Sequence, residues 1–474
     1  MNDQMDRQRR RERLLWVGVT AALVVTLMAV VVPAAAFGQS SSTQQDRLLD
    51  MFEQVFRFVR NNYVDEVEAQ KLIEGALEGM FESLEDPHSA YLSMEEMRDL
   101  SDTTQGQFGG VGMYISKQAV PEDSREPSYV EIISPIESTP ADRAGLHSGD
   151  LIVAIEGETT EDLSIDEVVS RLRGQPGSKV EITVRRGEGR SFDVDLTREI
   201  IEVPTVRHAV IPDNIGYIRI IQFTPYTDDR VLESVEEFEG DGYDSLIIDL
   251  RRNPGGLLPA VVDTADLFFE DGLIVGTRGR SPGENQKFRA GNGVDIPRDI
   301  PIVVLIDEGS ASAAEILAGA LKDRDRAYLI GETTYGKGSV QQVRRISTGG
   351  FRLTMSRYYT PSGDYIDDNG IEPDLVVEDP ELDEEQLDSL ARLQEQGMIE
   401  EFVSETPSPG ESEINSFIEE LRENEITLSE RRIRKLIRDE VNQVNDVTQV
   451  YDLEYDIVLQ RAVELLRQGE ISAR

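Results

Sequence analysis

The sequence predicts an α/β multidomain protein, in which an α/β core carries an inserted β-rich domain and is flanked by helical N-terminal and C-terminal segments. Three patterns predict this class. Strands and helices alternate between residues 201 and 380, short strands bounded by turn residues fill 105–200, and apolar residues recur at helical spacing on both sides. The boundaries that we expect are 1–43, 44–104, 105–200, 201–380 and 381–474.

The composition excludes several classes of function. The chain of 474 residues has 48 Lys and Arg against 91 Asp and Glu, a net charge of −43, so we expect no nucleic-acid partner. It has no cysteine, which excludes disulfides, thiolate metal ligands and cysteine nucleophiles. It has three histidines, and we therefore expect no histidine-rich metal site. These histidines are His88, His147 and His208.

The N-terminus predicts an exported protein. Five arginines between Arg7 and Arg13 precede an uncharged apolar run, Leu14–Val32. At 1.5 Å per residue such a run nearly spans a hydrocarbon core of ~30 Å, and the arginines predict that its start is cytoplasmic. Ala34–Ala36 resembles a signal-peptidase site, so cleavage remains open, although we favour an uncleaved inner-membrane anchor. Everything from about Gln44 is then extracytoplasmic.

The patterns of the segments 44–104 and 105–200 differ. The first reads as helical, apart from a turn at Asp86–Ser89. The second has one amphipathic helix, Ser164–Arg173, with a Ser cap and Glu167 three residues later. Its predicted strands are Tyr129–Ile133, Leu151–Ile155, Val180–Val184 and Phe192–Leu196.

The segment 201–380 alternates strands with helices, and the segment 381–474 is acidic and helical, with no function evident from its sequence. The predicted strands of the first are Ile215–Ile221, Ser245–Leu250, Ile302–Ile306 and Ala327–Ile330. Its predicted helices are Asp229–Phe238, Leu257–Phe269 and Ala311–Lys322.

A glycine-rich loop, Gly331–Gly338, follows one of these strands and nearly matches a phosphate-binding loop. We reject a nucleotide site because Gly338 stands where a magnesium-binding hydroxyl is needed, and because the acidic strand precedes the loop. The alternative is that Lys337 is a catalytic base. An amine with the ordinary pKa of ~10.4 is almost always protonated at pH 7, so such a lysine needs a water-poor pocket, to which Tyr335 could contribute.

A hydroxyl nucleophile is expected at a strand-to-helix turn, where backbone N–H groups and the helix dipole face a developing oxyanion. Gly309–Glu315 provides this setting after the strand Ile302–Ile306. We expect Ser310 to be the helix N-cap and Ser312 to be the nucleophile. A Ser-His-Asp triad is the competing arrangement, and His208 is the histidine that is hardest to dismiss.

From about Tyr63 to Asp374 the chain resembles the C-terminal processing peptidases, or tail-specific proteases, which are Ser-Lys serine peptidases with a PDZ domain. The motifs that carry the resemblance lie in every part of this stretch. They are Asp86–Ser89, Ala144–Leu146 with Gly149–Asp150, Asp249–Gly256, Ser310–Glu315, Gly336–Gln341 and Tyr359–Gly363.

The resemblance implies roles for individual residues and requires no metal or cofactor. It implies Ser312 as nucleophile, Lys337 as base and Gln341 as the residue that orients the lysine. The oxyanion hole would be the N–H of Ala313 with that of Gly255 or Gly256. The resemblance assigns the peptide carboxylate to Gly110, Val111 and Gly112, and coupling between the PDZ unit and the active site to Arg173. We expect support roles for Glu315, Asp249 and Arg251.

The sequence therefore predicts an extracytoplasmic serine endopeptidase, anchored in the cell envelope, that binds substrate C-terminal tails through its PDZ domain and cleaves through an acyl-enzyme. Its expected partners are proteins or peptides with accessible C-termini, the membrane, and a second copy of the chain in a homodimer. The alternative is a catalytically silent, tail-binding scaffold of the same fold.

Overall fold

The computed structural model describes residues 44–117, 128–136, 138–187, 190–291, 293–380, 382–445, 447 and 449–473. These divide into a unit that ends at Ser83 and a unit from Leu84 onward. In the first unit, α1 (Gln44–Asn62) and α2 (Ala69–Glu82) confirm the predicted helices. No helix within the described ranges is long and apolar enough to cross a bilayer, and the run Leu14–Val32 lies outside them.

The first part of the second unit is a small β-rich domain. It is preceded by β1 (Ala90–Leu92), which pairs outside this domain, and by α3 (Met94–Gln105). Its own elements are β2 (Gln107–Gly110), β3 (Met113–Ser116), β4 (Val130–Pro135), α4 (Pro140–Arg143), β5 (Leu151–Ile155), β6 (Glu158–Thr159), α5 (Ile165–Leu172), β7 (Lys179–Arg186), β8 (Arg190–Thr197) and β9 (Glu199–Glu202). An antiparallel sheet has the order β3-β4-β5-β7-β8, with β6 on β5, and β2 pairs separately with β9. Alternate residues of these strands fill its core.

The helix α5 confirms the capping pattern read from the sequence. Ser164 N donates to Glu167 Oε2 at 2.8 Å, and Glu167 N donates to Ser164 Oγ at 3.2 Å. These two bonds satisfy N–H groups that the first turn of a helix leaves unpaired.

The rest of the chain builds the α/β core, a second sheet and the C-terminal helices. Its elements are β10 (Val206–Ile211), β11 (Ile215–Ile220), α6 (Thr227–Asp241), β12 (Ser245–Asp249), α7 (Leu258–Asp266), β13 (Gly272–Gly279), β14 (Lys287–Ala290), β15 (Ile302–Ile306), α8 (Ala313–Asp323), β16 (Tyr328–Gly331), β17 (Ser339–Ile346), β18 (Gly349–Tyr359), β19 (Leu375–Val376), α9 (Glu384–Glu395), α10 (Met398–Glu405), α11 (Glu411–Glu423), α12 (Glu430–Val444) and α13 (Ile457–Gln468).

The core sheet has the order β10-β11-β12-β15-β16-β19, and it is parallel from β11 onward. Every residue of β12 and β15 is buried, because helices cover both faces. The helices α6, α7 and α8 belong to the hydrophobic core on one face. This arrangement confirms the predicted α/β fold and places the ends of β12 and β15 side by side.

A second, antiparallel sheet was not predicted from the sequence. β18 pairs with β17 along one side and with β1 and β13 along the other, and β14 continues from β13. Arginines interrupt the apolar residues of β17 and β18, as is expected for strands with one face near solvent.

The C-terminal segment is helical, as predicted, but its last helix belongs to the core. The helices α9 to α12 share a separate cluster of buried residues that includes Leu421 and Ile433. The helix α13 instead packs Leu459 and Ala462 against the second face of the parallel sheet, where Tyr217 and Leu305 are buried. The sheet is therefore covered on both faces only when α13 is in place.

Arg251 joins this last helix to the end of β12. Its guanidinium donates to Asp249 at 2.9 and 2.6 Å and to Asp456, the N-cap of α13, at 2.9 and 2.5 Å. Tyr217 Oη also donates to Asp249 at 2.7 Å. Burial alone would raise the pKa of Asp249, but the charge and hydrogen bonds of Arg251, with the bond from Tyr217, hold it below the ordinary value.

We expect Asp456→Ala to lower the free energy of unfolding by about 2 kcal/mol, because it removes a helix cap and half of the acceptors of Arg251. Thermal unfolding of the purified protein at neutral pH measures this loss. A matched Glu464→Ala variant, which breaks the exposed pair with Arg461, should leave the melting temperature unchanged. Equal melting temperatures for the two variants would contradict the role given to Asp456.

The same network predicts how stability depends on pH. The folded-state pKa of Asp249 is lower than its unfolded value, so its contribution is complete above the unfolded value of ~3.9 and is lost as the pH falls through the folded value. Melting curves of the wild type and of Asp249→Asn should therefore converge at acidic pH. A gap between them that is constant down to that range would exclude this linkage.

Candidate active site

Two loops meet at the carboxyl ends of the parallel strands. One follows β15 and carries Ser312, and the other follows β16 and carries Lys337. Both loops bond to the same side chain, since Glu315 Oε2 accepts the backbone N–H of Ser312 at 2.7 Å and that of Lys337 at 2.9 Å. The backbones of the predicted nucleophile and of the predicted base are therefore attached to one carboxylate.

Ser312 lies at the start of α8 in a backbone conformation that L-residues rarely adopt. Its φ is 55° and its ψ is −109°. Such a conformation costs roughly 1–3 kcal/mol and persists only where the surroundings hold it. Here a fully buried strand precedes the turn and the buried helix α8 follows it, while Ser312 itself is partly exposed.

The prediction that Ser310 caps this helix was wrong. Ser310 is completely buried, and its hydroxyl donates to Leu250 O at 2.9 Å, so it ties the turn to the end of β12. Its Oγ also accepts the N–H of Asp307 at 3.0 Å. The N-cap position belongs to Ser312, because the helix begins two residues later than its small side chains suggested.

Glu315 is fully buried and accepts four hydrogen bonds. Besides the two N–H groups already described, Thr334 Oγ1 and Gly336 N both donate to its Oε1 at 2.6 Å. Burial raises the pKa of Glu315, and the four hydrogen bonds oppose that rise by favouring the ionised form. This agrees with the support role read from the sequence and extends it to the lysine loop.

Lys337 is half-buried, and its pKa is lowered. Burial is the largest cause, the like charge of Arg352 on β18 is the second, and the charge of Glu315 opposes both. Tyr335 does not form the expected pocket, because its side chain is 65% exposed. A lowered pKa increases the fraction of neutral amine, which is the form that can accept a proton.

The loop after β12 lies against Ser312 and is held by Asn253. The buried amide of Asn253 donates to Ile220 O and accepts from Gly255 N, both at 2.8 Å, and its backbone carbonyl accepts from Ala311 N at 2.9 Å. A Cβ on Gly255 would come within 2.8 Å of Ser312 Cβ and 3.0 Å of Ala313 N. Only a glycine therefore fits here, at a φ of 105°.

Gln341 is bonded to its own strand. Its Nε2 donates to Ser339 Oγ at 2.7 Å and to Ser339 O at 3.2 Å. Within the described ranges the structure has no hydrogen bond between Gln341 and Lys337, although the two residues are four positions apart on one loop and strand.

The predicted carboxylate loop joins β2 to β3. Gly112 has a φ of 79°, and its carbonyl accepts from Ile136 N at 3.0 Å and from Thr139 Oγ1 at 2.9 Å. Val111 and Gly110 are buried beside it. β3 pairs only with β4 among the described strands, so its other edge can accept an added strand.

Arg173 lies where the β-rich domain meets the α/β core. Its guanidinium carbon is 5.0 Å from the centre of the Phe108 ring, and both residues line a cavity of about 190 Å³ with Gln222 and Thr224. Between these two, Phe223 N donates to Gly255 O at 2.9 Å. Phe223, which lies between two residues of the cavity lining, thus connects the cavity to the glycine loop.

The two competing arrangements lack a workable geometry. Ser234 and His208 Nδ1 are 3.0 Å apart, and His208 Nε2 is 2.9 Å from Glu237, but Ser234 is fully buried within α6 and donates to Arg230 O. In the glycine-rich loop, the N–H groups of Gly336 and Lys337 that would cradle a phosphate already donate to Glu315.

Sequence reasoning gave Asn253 and Thr334 no role. Both are buried polar residues inside glycine-containing loops, and buried polar side chains are normally hydrogen-bonded. Their positions near the glycines of these loops indicate that the two side chains could hold the loops in place. The sequence does not identify their hydrogen-bond partners, because most of these are distant along the chain.

Comparisons with known proteins identify the family of the chain. Residues 214–377 match peptidase family S41, residues 131–186 match the PDZ domain, and residues 27–96 match the activating protease CtpB N-terminal domain. A carboxy-terminal-processing protease from Bartonella bacilliformis is 39% identical over 74% of this chain and 80% of its own length. A carboxyl-terminal-processing protease from Synechocystis is 38% identical over 69% and 75%.

The carboxy-terminal processing protease CtpA of Bacillus subtilis is 30% identical over 79% of this chain and 78% of its own length. The matched stretches include both loops that bond to Glu315 and the β-rich domain. The chain therefore belongs to the carboxy-terminal processing proteases of peptidase family S41 and is a serine-type peptidase with a PDZ domain.

Proposed function

We propose that this protein is an extracytoplasmic endopeptidase that cleaves with a Ser312–Lys337 dyad after its PDZ domain has bound a substrate C-terminus. The observation that carries the proposal is the attachment of both loops to Glu315, together with the lowered pKa of Lys337. A serine activated by a neutral lysine needs no histidine.

In the proposed first half-reaction, neutral Lys337 Nζ takes the proton of Ser312 Oγ while that oxygen attacks the scissile carbonyl carbon. The tetrahedral intermediate collapses, the C–N bond breaks, and the lysine ammonium gives its proton to the leaving amine. In the second half-reaction, Lys337 deprotonates a water that attacks the acyl ester, and Ser312 regains its proton as the new carboxylate leaves.

The oxyanion would lie between Ala313 N–H and Gly256 N–H. Ala313 is the first residue of α8, so its N–H has no partner within the helix and the helix dipole adds to its effect. Gly256 is preferred over Gly255 because the N–H of Gly255 already donates to Asn253. Gly256 is therefore the glycine that we propose from the two that the sequence offered.

In the PDZ domain, the proposed site for the substrate carboxylate is the Gly110–Gly112 loop, next to the free edge of β3. Arg173 would couple binding at that site to the glycine loop through Gln222 and Phe223. Gln341 would support Lys337 after a rotation away from Ser339.

The proposed location rests on the sequence before Gln44. Its arginines and apolar run favour an inner-membrane anchor, with signal cleavage as the alternative, and place the catalytic part in the periplasm or outside the cell. We also propose a homodimer through α1, where Leu49, Met51, Val55 and Phe58 are exposed within one chain.

Replacing either member of the dyad tests the mechanism against a silent scaffold. We expect Ser312→Ala and Lys337→Ala each to lower cleavage of an unstructured protein by about 10⁴-fold, since each is needed for the same step. A serine-directed phosphonate should label the wild type but not Ser312→Ala, while Ser310→Ala should still be labelled. Normal cleavage by either dyad variant would exclude the dyad.

The pH dependence of kcat should follow Lys337. Only the neutral amine is active, so kcat should rise with pH, and the midpoint should lie below the ordinary lysine value of ~10.4 because the pKa of Lys337 is lowered. Steady-state rates across a pH series give this midpoint. A His208→Asn control should leave this midpoint unchanged. If the midpoint shifts in the control, the pH dependence of kcat belongs to the histidine instead.

Glu315→Gln tests the connection between the loops. The amide has one acceptor oxygen where the carboxylate has two, and its NH₂ group would face N–H groups that now donate to Glu315. We expect kcat to fall by about 10²-fold with KM almost unchanged, since both loops shift relative to each other. The control is Glu308→Gln, an exposed acid in the same turn. Equal kcat values for the two variants would contradict this role.

A further inference from the structure

The second sheet has an unusual charge for this chain. Its five strands, β1, β13, β14, β17 and β18, contain seven basic residues and no acidic residue, although the whole chain has 91 acidic residues against 48 basic ones. The seven are Arg278, Lys287, Arg289, Arg344, Arg345, Arg352 and Arg357.

These basic residues mostly lack acidic partners. Within the described ranges, Arg357 is the one member of the seven with an ion pair, to Asp367 at 2.5 Å. Elsewhere in the second unit, arginines are commonly paired with carboxylates. The Nε of Arg352 is shielded from solvent and has no hydrogen-bond partner among the described residues. The sheet thus has positive charge that is mostly not paired with carboxylates of the described residues.

The strand register places four of these arginines on one face. Arg278 is opposite Arg357, which is opposite Ser339. The pairing then skips Met355 of β18, so that β17 alternates without interruption. Its residues Ser339, Gln341, Val343 and Arg345 therefore share a side, and Val343 is opposite Arg352. We call Arg278, Arg345, Arg352 and Arg357 the arginine face.

The arginine face adjoins the proposed catalytic lysine. β17 begins two residues after Lys337, and the positive charge of Arg352 contributes to the lowered pKa of Lys337. A Cβ on Gly338 would lie 2.1 Å from the backbone nitrogen of Asp367, the partner of Arg357.

An open pocket lies on this side of the sheet. Its volume is about 560 Å³, and its charged lining consists of Arg278, Arg280 and Arg357 against Asp367 and Asp368. The pocket therefore has a net positive lining. β17 is bonded on one side only among the described strands, so an extended chain has backbone groups to pair with along its free edge.

We propose that the arginine face selects acidic substrates, by binding carboxylate side chains of the polypeptide segment that flanks the scissile bond. The proposal rests on the proposed endopeptidase function and adds a substrate class to it. Arginine guanidinium groups suit carboxylates because they donate two parallel hydrogen bonds. An open pocket lined by arginines, beside an unpaired strand edge, suits an extended peptide better than it suits a flat anionic membrane.

Two unstructured peptides test this selectivity. They share length and C-terminal residues, so the PDZ contribution is equal, and they differ only in having Glu or Gln in the segment around the cleavage site. We expect the wild type to cleave the Glu peptide with a kcat/KM about 10-fold higher, and the ratio to fall in 1 M salt, which screens charges.

Arg278→Glu, Arg345→Glu and the double variant should reduce or invert this ratio while cleavage of the Gln peptide changes little. Arg207→Glu, the same charge change on the edge strand β10 of the other sheet, should keep the wild-type ratio. A loss of cleavage that is equal for both peptides would overturn the proposal and leave the arginines a role in folding or in lowering the pKa of Lys337.

Equal wild-type rates for the two peptides would overturn the acidic preference while the proposed function stands. No cleavage of either peptide would overturn the proposed function and this inference with it. Binding to vesicles of anionic lipid that is lost in Arg278→Glu, with no peptide selectivity, would assign the arginine face to a membrane instead.

Discussion

The carboxylate of Glu315 is the constraint on which the rest of the site depends. A buried anion is stable only if donors replace the water that it has lost, and here four donors from two loops do so. Glu315 belongs to the helix that follows the serine loop, so the lysine loop is held by a group from the serine half of the site. The unfavourable backbone of Ser312 can persist because its own N–H is one of those donors.

The electrostatics of the site run against the charge of the whole chain. A net charge of −43 favours protonated amines, which would make a poor base of any lysine. Burial of Lys337 and the positive neighbour on β18 locally reverse this influence. The strands of the second sheet contain no acidic residue that would oppose this effect.

The sequence was informative where a pattern is local. The apolar runs of β12 and β15 and the capping pattern of α5 are set by neighbouring residues, so they were found close to their true bounds. β17 and β18 were missed because their arginines interrupt the apolar alternation, and the place of α13 was missed because its packing depends on the far face of a sheet.

At the site, the Ser312 turn and the lysine loop were found from glycine and small-residue patterns. The contacts that join them were not, because Glu315 and Asn253 bond to groups that are distant in the sequence, and a residue in the first turn of a helix gives no sign of such bonds. Ser310 was misassigned for the same reason, since its bond to Leu250 crosses between strands.

The bond between Arg251 and Asp456 links positions that are 205 residues apart. The ribosome must therefore have made most of the chain before this bond can form. A chain cut before Asp456 would lack both this bond and α13, and the second face of the parallel sheet would lose its cover.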